Sequence, residues 1–570
     1  MKAVMSCVVA GLVSLFGSGV AFGQQLSAEE WREDLQHLAR VIDEIHPNPY
    51  LFHDRGAFEV AVAELSAAIP ELTDDQVIMG MARIGAMIRD GHSFLRPLSQ
   101  RFPLTEFAPI RLFSTPDGWI VGAVAEEAAW ALGGVVETIA GRPADEVMAE
   151  LARHGGADNA AQQAYSASFS LAIGRLLRGL GLVGEDGVLS LTVEDARAAE
   201  VRALDIPVVS MRASFGWTQS PFAAPGEATR SIIDDWSEAP LAFRHQGMQY
   251  WSEYVPGEDI LYVQINEIND SSRPASVDGA ESVLSLTDFL SKSLALTEDH
   301  PTDRLVIDLR FNGGGDNFEA RAMMRTLHQY PELNQKGRLF VLTGGQTYSA
   351  AMNFVSMLEA YTDALFVGEP PGGRPNHFGD ARSFPLPNSG LVARVSSLNW
   401  QLGVNPWDIR RLMEPDIPAP FDQASLMAGR DPALDAVIAF EDGSLLADRM
   451  IAAYEQSGVE GAMALFASEV QPGEPGVWHH RPGVLFNFGF QLLGRGVDEP
   501  EVAGVFVGAA QMYSDSPSVL FSIGRIAGRV PNWPIAAQMY EGALALWPEN
   551  KVIETHLARA RLELEAAARE

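Results

Sequence analysis

The chain has 570 residues, 47% of them hydrophobic, which is more than one core usually holds and points to two to four folded domains. A formal net charge of -33 excludes nucleic acid as a probable class of partner, because phosphate recognition needs clustered cations. The one cysteine, Cys7, leaves no disulfide framework, so stability has to come from packing.

Residues 1–23 read as a secretory signal peptide: Lys2 is a short positive start, Val8 to Phe22 is apolar and broken by glycines, and Ala21-Phe22-Gly23 is a small-x-small cleavage site. Gln24 is then the first mature residue, and a periplasmic or secreted protein without integral membrane association is expected. Residues 24–104 are helical by period. Trp31, Leu35, Leu38, Val41 and Ile42 recur at three and four residues, a second helix fits Ala57 to Ile69, and a third fits Thr73 to Ile88 with Thr73 as N-cap. This region ends in the polar corner Arg89-Asp90-Gly91-His92-Ser93.

Residues 105–205 change to short β-like runs, Gly118 to Val124, Gly134 to Ile139 and Val188 to Val193, with a helix from Ala144 to His154. The stretch Leu132 to Arg142 resembles the strand-turn-helix signature of PDZ-like modules. Over residues 206–440 apolar strands (Asp259 to Ile265, Arg304 to Leu309, Arg338 to Leu342) alternate with helices (Ala280 to Leu296, Ser349 to Glu359), the pattern of a buried α/β sheet. Residues 445–570 are Ala-rich and helical. Ser518 to Gly528 followed by Trp533 to Leu546 resembles a tetratricopeptide helix pair, although a capping bundle reads equally well.

Two local patterns carry chemistry. Leu305 to Leu309 runs into Arg310-Phe311-Asn312-Gly313-Gly314-Gly315, which places bare glycine backbone at a strand's carboxyl end, where α/β sheets bind ligands. One strand later, Thr343-Gly344-Gly345-Gln346-Thr347-Tyr348-Ser349-Ala350 places Ser349 at a helix start. A serine there usually caps the helix, yet free N–H groups and the helix dipole also favour an oxygen nucleophile.

Together, Asp-Leu-Arg-x-Asn-x-Gly-Gly, Thr-x-Ser-Ala, Gly368-Glu369, Glu414-Pro415-Asp416-Ile417 and Asp431-Pro432-Ala433-Leu434 resemble the tail-specific (C-terminal processing) serine peptidase family. The resemblance implies a multidomain α/β (α+β) fold with an N-terminal helical subdomain, a PDZ-like module and a ClpP/crotonase-like α/β protease core. The all-α C-terminal domain is not explained by it. It also implies Ser349 as nucleophile, the N–H groups of Gly314 and Ala350 as oxyanion hole, peptide or protein substrates, and no cofactor or metal.

One branch of that family takes its base from a lysine after the serine. Here the lysines are Lys2, Lys292, Lys336 and Lys551, and Gly372-Gly373-Arg374-Pro375 fills the corresponding region, where a permanently charged arginine cannot act as base. Asp90-Gly91-His92-Ser93 instead resembles the Asp-Gly-His-[Ser/Thr] corner of the branch similar to the tricorn core and interphotoreceptor retinoid-binding-protein-like peptidases, implying His92 as base. His377 is the competitor. The tricorn-like pattern has a serine before the histidine and a distal glutamate; Gly91 replaces that serine, and Asp408, Glu414, Asp90 or Ser93 are the candidates to orient the imidazole. No Gly-x-Ser-x-Gly elbow, His-Glu-x-x-His helix or Walker loop occurs, and His479-His480 reads as a solvated pair. The alternative function is a catalytically weak or inactive ligand- or protein-binding member of the same fold, with the C-terminal helices as an interaction scaffold.

Overall fold

The computed structural model describes residues 25–210, 228–245, 247–270, 274–403, 408–470 and 481–569; the signal-peptide reading and His479-His480 lie outside them. The chain begins with α1 (Ala28–Ile45), α2 (Arg55–Ala68) and α3 (Asp74–Ala86). Ser27 with Glu30, and Thr73 with Gln76, form reciprocal capping boxes that satisfy the first free amides of α1 and α3. Trp31, Leu35, Leu38, Val77, Ile78 and Met81 bury the apolar faces of these helices together.

An antiparallel sheet follows, with Thr229–Ser231, Gly118–Ala125, Val135–Ile139, Val188–Glu194 and Val201–Pro207 side by side and Ile110–Thr115 also paired to Gly118–Ala125. The helix Ala144–Ala152 covers it.

The core is an eight-stranded mixed sheet built from β1 (Tyr250–Val255), β2 (Ile260–Ile265), β3 (Pro274–Val277), β4 (Ala280–Val283), β5 (Arg304–Asp308), β6 (Leu339–Thr343), β7 (Leu365–Gly368) and β8 (Ile417–Pro418). Its order is β4-β3-β1-β2-β5-β6-β7-β8, and β2, β5, β6, β7 and β8 run parallel. Helices α4 (Leu286–Asp299), α5 (Asn317–Leu327) and α6 (Ala350–Tyr361) pack on one face through Phe289, Leu290, Met323 and Phe354. Val306, Phe340, Leu342 and Val367 look to the other face, toward Val437 and Phe440. Strands covered on both sides explain the unbroken apolar runs in the sequence.

One expected element is revised. The span from Ala280 to Leu296 is not a single helix: Gly279, at φ +79, turns the chain back into the hairpin strand β4, and α4 starts only after Ser285, whose Oγ accepts the Asp288 N–H at 3.0 Å. The C-terminal region is helical, with Leu446–Glu469, Pro482–Gly494, Glu499–Met512, Pro517–Arg529, Trp533–Leu546 and Lys551–Ala567 sharing one apolar cluster. It touches the loop between α1 and α2 where Trp547 meets Phe52, ring centroids 5.1 Å apart. No helix among the described residues is long and apolar enough to cross a membrane.

Two cross-region contacts decide where the Asp90 corner sits. The strand Phe94–Arg96 pairs antiparallel with Val392–Val395 of the core, Phe94 opposite Arg394. Buried Asp34 of α1 accepts the N–H groups of Asn388 and Ser389, both at 2.9 Å, fixing the same hairpin from its tip. The N-terminal helices are thereby held over the carboxyl end of the parallel sheet.

Candidate active site

The loops after β5 and β6 emerge side by side because the two strands are adjacent and parallel. The first loop is braced by an ion cluster. Arg310 grips Asp431 through both terminal nitrogens, each at 2.7 Å, and Asp308 at 2.8 Å, while Tyr262 donates its hydroxyl to Asp308. Burial opposes the Arg310 charge, but the two carboxylates outweigh it and raise its pKa well above the ordinary value. Such a buried group must keep all its partners, since losing one leaves an uncompensated charge. Asp431 also caps the helix Pro432–Ile438.

Asn312 organises the glycines. Its Nδ2 donates to the Ile265 carbonyl and its Oδ1 accepts the Gly314 N–H, both at 2.9 Å. Gly314 has φ +108, and a Cβ there would stand 2.6 Å from Ser349 Cβ. Glycine is required for this approach. The expectation that the Gly314 N–H lines an oxyanion hole is corrected to this extent: the amide is engaged inside its own turn, by the asparagine two residues earlier. The Ala350 N–H, 3.0 Å from that same Cβ position, has no acceptor among the described residues.

The second loop is pinned to the first. The Tyr348 N–H donates to the Asn312 carbonyl at 3.0 Å, and Thr347 Oγ1 donates to the Leu309 carbonyl at 2.8 Å. Ser349 follows with φ 56 and ψ -123, and its side chain makes no cap hydrogen bond to α6. For a residue with a Cβ this backbone is sparsely populated, and it persists only where surrounding contacts impose it. Capping, the ordinary occupation of a serine here, is thus absent. Its half-buried Oγ lies 3.0 Å from His92 Nε2.

His92 is held by the Asp90 corner, with Arg89 at φ 54 making the turn. Asp90 Oδ1 accepts the His92 backbone N–H at 3.1 Å, and Oδ2 accepts from Ser93, from Ser396 at 2.7 Å, and faces His46 Nε2 at 3.2 Å. Burial would raise the Asp90 carboxyl, but the hydrogen bond and charge of His46, the charge of His92 and the Ser93 hydroxyl together hold it well below the usual carboxylate range. Burial pushes the His92 imidazole down to about 4; Asp90 pulls it up and Arg394 pushes it further down. At neutral pH the ring is uncharged and able to receive a proton.

His377 does not bond to Ser349 among the described residues. It lies behind His92, the two rings nearly parallel and 5.7 Å apart, and burial first, then His92, pushes it down to about 4. Arg374, in the region where a lysine would be sought, is buried over Phe52 at 4.2 Å.

Two of the candidate orienting groups lie elsewhere. Asp408 is bound by Arg410 at 2.7 Å, which reaches Glu359 at 2.9 Å. Glu414 accepts the Gly483 N–H at 3.3 Å, at the junction with the C-terminal helices. Both positions are corrected: Asp408 is taken up by Arg410 and Glu414 by the Gly483 amide, and neither carboxylate is bonded to the His92 ring. Asp90 reaches the backbone of His92 and not its ring. The ring nitrogen Nδ1 meets a residue outside that set: Tyr348 Oη is hydrogen-bonded to it, the two rings stacked at 4.4 Å. Tyr348 carried no motif signal beyond adjacency to Ser349. Among the described residues no three His, Cys, Asp or Glu side chains gather as metal ligands would.

Residues 259–419 match the family model described as Peptidase family S41. No curated protein sequence matches the chain. Among solved structures, mature CPAF is 14% identical, covering 76% of this chain and 98% of its own with a TM-score of 0.48. The photosystem II D1 C-terminal processing protease is 13% identical over 72% of this chain and 96% of its own (TM-score 0.33), and the tricorn protease 13% over 72% and 36% (TM-score 0.33). The matched segment, which contains the Gly313–Gly315 loop and Ser349 but not His92, is similar to Peptidase family S41, a family of serine peptidase hydrolases.

Proposed function

We propose that the protein is an exported serine peptidase that hydrolyses peptides or polypeptide tails through an acyl-enzyme on Ser349, with His92 as general base. The observation that carries this reading is the uncapped, positive-φ Ser349, with its Oγ 3.0 Å from His92 Nε2. Ser349 Oγ attacks the scissile carbonyl as its proton passes to His92, and the same proton then leaves with the amine product. Water repeats the cycle on the ester. The Ala350 N–H at the start of α6 receives the oxyanion, joined by the Gly314 N–H once Asn312 releases it. The antiparallel module, read as PDZ-like, and the tetratricopeptide-like C-terminal helices would present docking surfaces for substrate or partner.

Exposure to a serine-reactive fluorophosphonate tests this reading. Labelling of the wild type that vanishes in Ser349→Ala supports it, and well-folded wild type that stays unlabelled sinks it. In that case the second reading stands, a weak or inactive binding protein of the same fold, which the occupied Gly314 amide favours. For export, N-terminal sequencing of the protein released from cells should begin at Gln24.

A further inference from the structure

A histidine base works only in the right tautomer, and the group that sets it here is not a carboxylate. Asp90 spends one oxygen on the His92 backbone and the other on His46, Ser93 and Ser396. Asp158 Oδ1 accepts the Gly91 N–H at 3.0 Å. What faces His92 Nδ1 is the Tyr348 hydroxyl.

Tyr348 is itself held in place. Its main chain is tied to Asn312, and its Oη lies against the side-chain amide of Gln162. Gln162 belongs to the helix Ala160–Ser170, where Asn159 caps it through the Gln162 N–H at 3.0 Å and its Oε1 accepts the Asp158 N–H at 2.7 Å. Gly91 completes the arrangement. A Cβ at position 91 would stand within 2.5 Å of Gln162 Oε1 and Tyr348 Oη, so a serine before His92 would require the Gln162 amide and this tyrosine to shift.

We infer that Tyr348, backed by Gln162, is the positioning residue that orients His92 and selects its tautomer, taking the place of a serine or carboxylate partner. The inference rests on Ser349 and His92 acting as proposed above. For Nε2 to take the Ser349 proton, the ring hydrogen sits on Nδ1 and is donated to Tyr348 Oη, whose own hydrogen turns away from the ring. When His92 becomes imidazolium, the same Nδ1–H···Oη bond shares its charge. The proton stays on His92 until the leaving amine takes it, and Tyr348 remains a neutral phenol, a state that burial and then Asp158 favour by raising its pKa. Turned the other way, with Tyr348 donating to Nδ1, the hydrogen lies on Nε2 and Ser349 has no base.

The test is the rate of fluorophosphonate labelling of the full-length protein as a function of pH, in wild type, Ser349→Ala and Tyr348→Phe. Phenylalanine keeps the ring stack and removes only Oη. The expected result is a labelling rate lower by one to two orders of magnitude, part of the roughly 10²–10⁴-fold that a general base supplies. The acid limb of the profile should move to lower pH, because the imidazolium has lost an acceptor, while the melting temperature stays near wild type. The Phe378 carbonyl, Asp380, Asp90, Arg394 and His377 also face the imidazole. If Tyr348→Phe labels at the wild-type rate with an unmoved limb, those groups suffice and the inference is overturned. Wild type that does not label at all would instead defeat the peptidase reading beneath it.

Discussion

Ser285 and Ser349 each precede a helix, α4 and α6, that packs on the same face of the same sheet. At Ser285 the backbone is extended, φ -65 and ψ 156, and Oγ accepts the Asp288 amide, closing the first turn. At Ser349 the backbone sits at φ 56, the cap bond is absent and Oγ faces an imidazole. Residue type and position along the helix are the same; the chain before them differs. Ser285 follows a hairpin, whereas Ser349 follows a turn stitched to Asn312 and Leu309 and pressed against Gly314. A serine at a helix start becomes free to react only where its neighbours supply the strain and an acceptor.

Changes at the two serines should separate these roles. Ser349→Ala should remove labelling and hydrolysis altogether, of the order of 10⁶-fold for a lost nucleophile, with little change in stability. His92→Ala should lower the labelling rate by about 10²–10⁴-fold, the share of a general base, leaving the fold intact. Gly314→Ala should do harm through geometry. It forces a Cβ against Ser349 and holds φ +108 in a residue that disfavours it, so thermal melting should report a loss of about 1–3 kcal/mol together with activity. Wild-type activity in that variant would break the account of why Ser349 is strained.

The pH dependence has two opposed parts. The base must be neutral, so the labelling rate should rise with pH through about 4, the value to which burial pushes His92, and then level off. Burial raises Glu414 to about 8, so the folded protein holds a proton there that the unfolded chain releases above its ordinary carboxyl range; its contribution to stability should decline as pH rises across that window. Glu414→Gln should flatten the slope of melting temperature between pH 5 and 8 without altering the labelling rate, since Glu414 lies at the C-terminal junction. The smallest effect belongs to the other serine: Ser285→Ala should cost about 1 kcal/mol and leave the reaction untouched.

Much of the frame was legible because it depends on local periodicity. The apolar strands Arg304 to Leu309 and Arg338 to Leu342 and the helix Trp533 to Leu546 stand where their patterns put them, within a residue or so. Thr73 caps its helix because a hydroxyl three residues before Gln76 closes a reciprocal box whatever the surroundings. The stretch from Ala280 failed because its apolar spacing suits either period, and a single glycine at 279 turned the first residues into a strand.

By itself, the sequence determined the chemical inventory: a serine at a strand-to-helix turn, glycines at the neighbouring strand end, a histidine corner, and no lysine between Lys336 and Lys551. These follow from residue type and short spacing. The tertiary structure alone decided which groups meet. Ser349 and His92 are 257 residues apart in sequence and come together because Asp34, the Phe94–Arg96 strand and the Ser396 hydroxyl on Asp90 hold the N-terminal helices over the sheet. The same packing gave Asp408 to Arg410 and Glu359, Glu414 to the Gly483 amide, and His92 Nδ1 to a tyrosine. Hydrogen-bond partners across such distances are selected by the packing of whole layers, which no local pattern encodes.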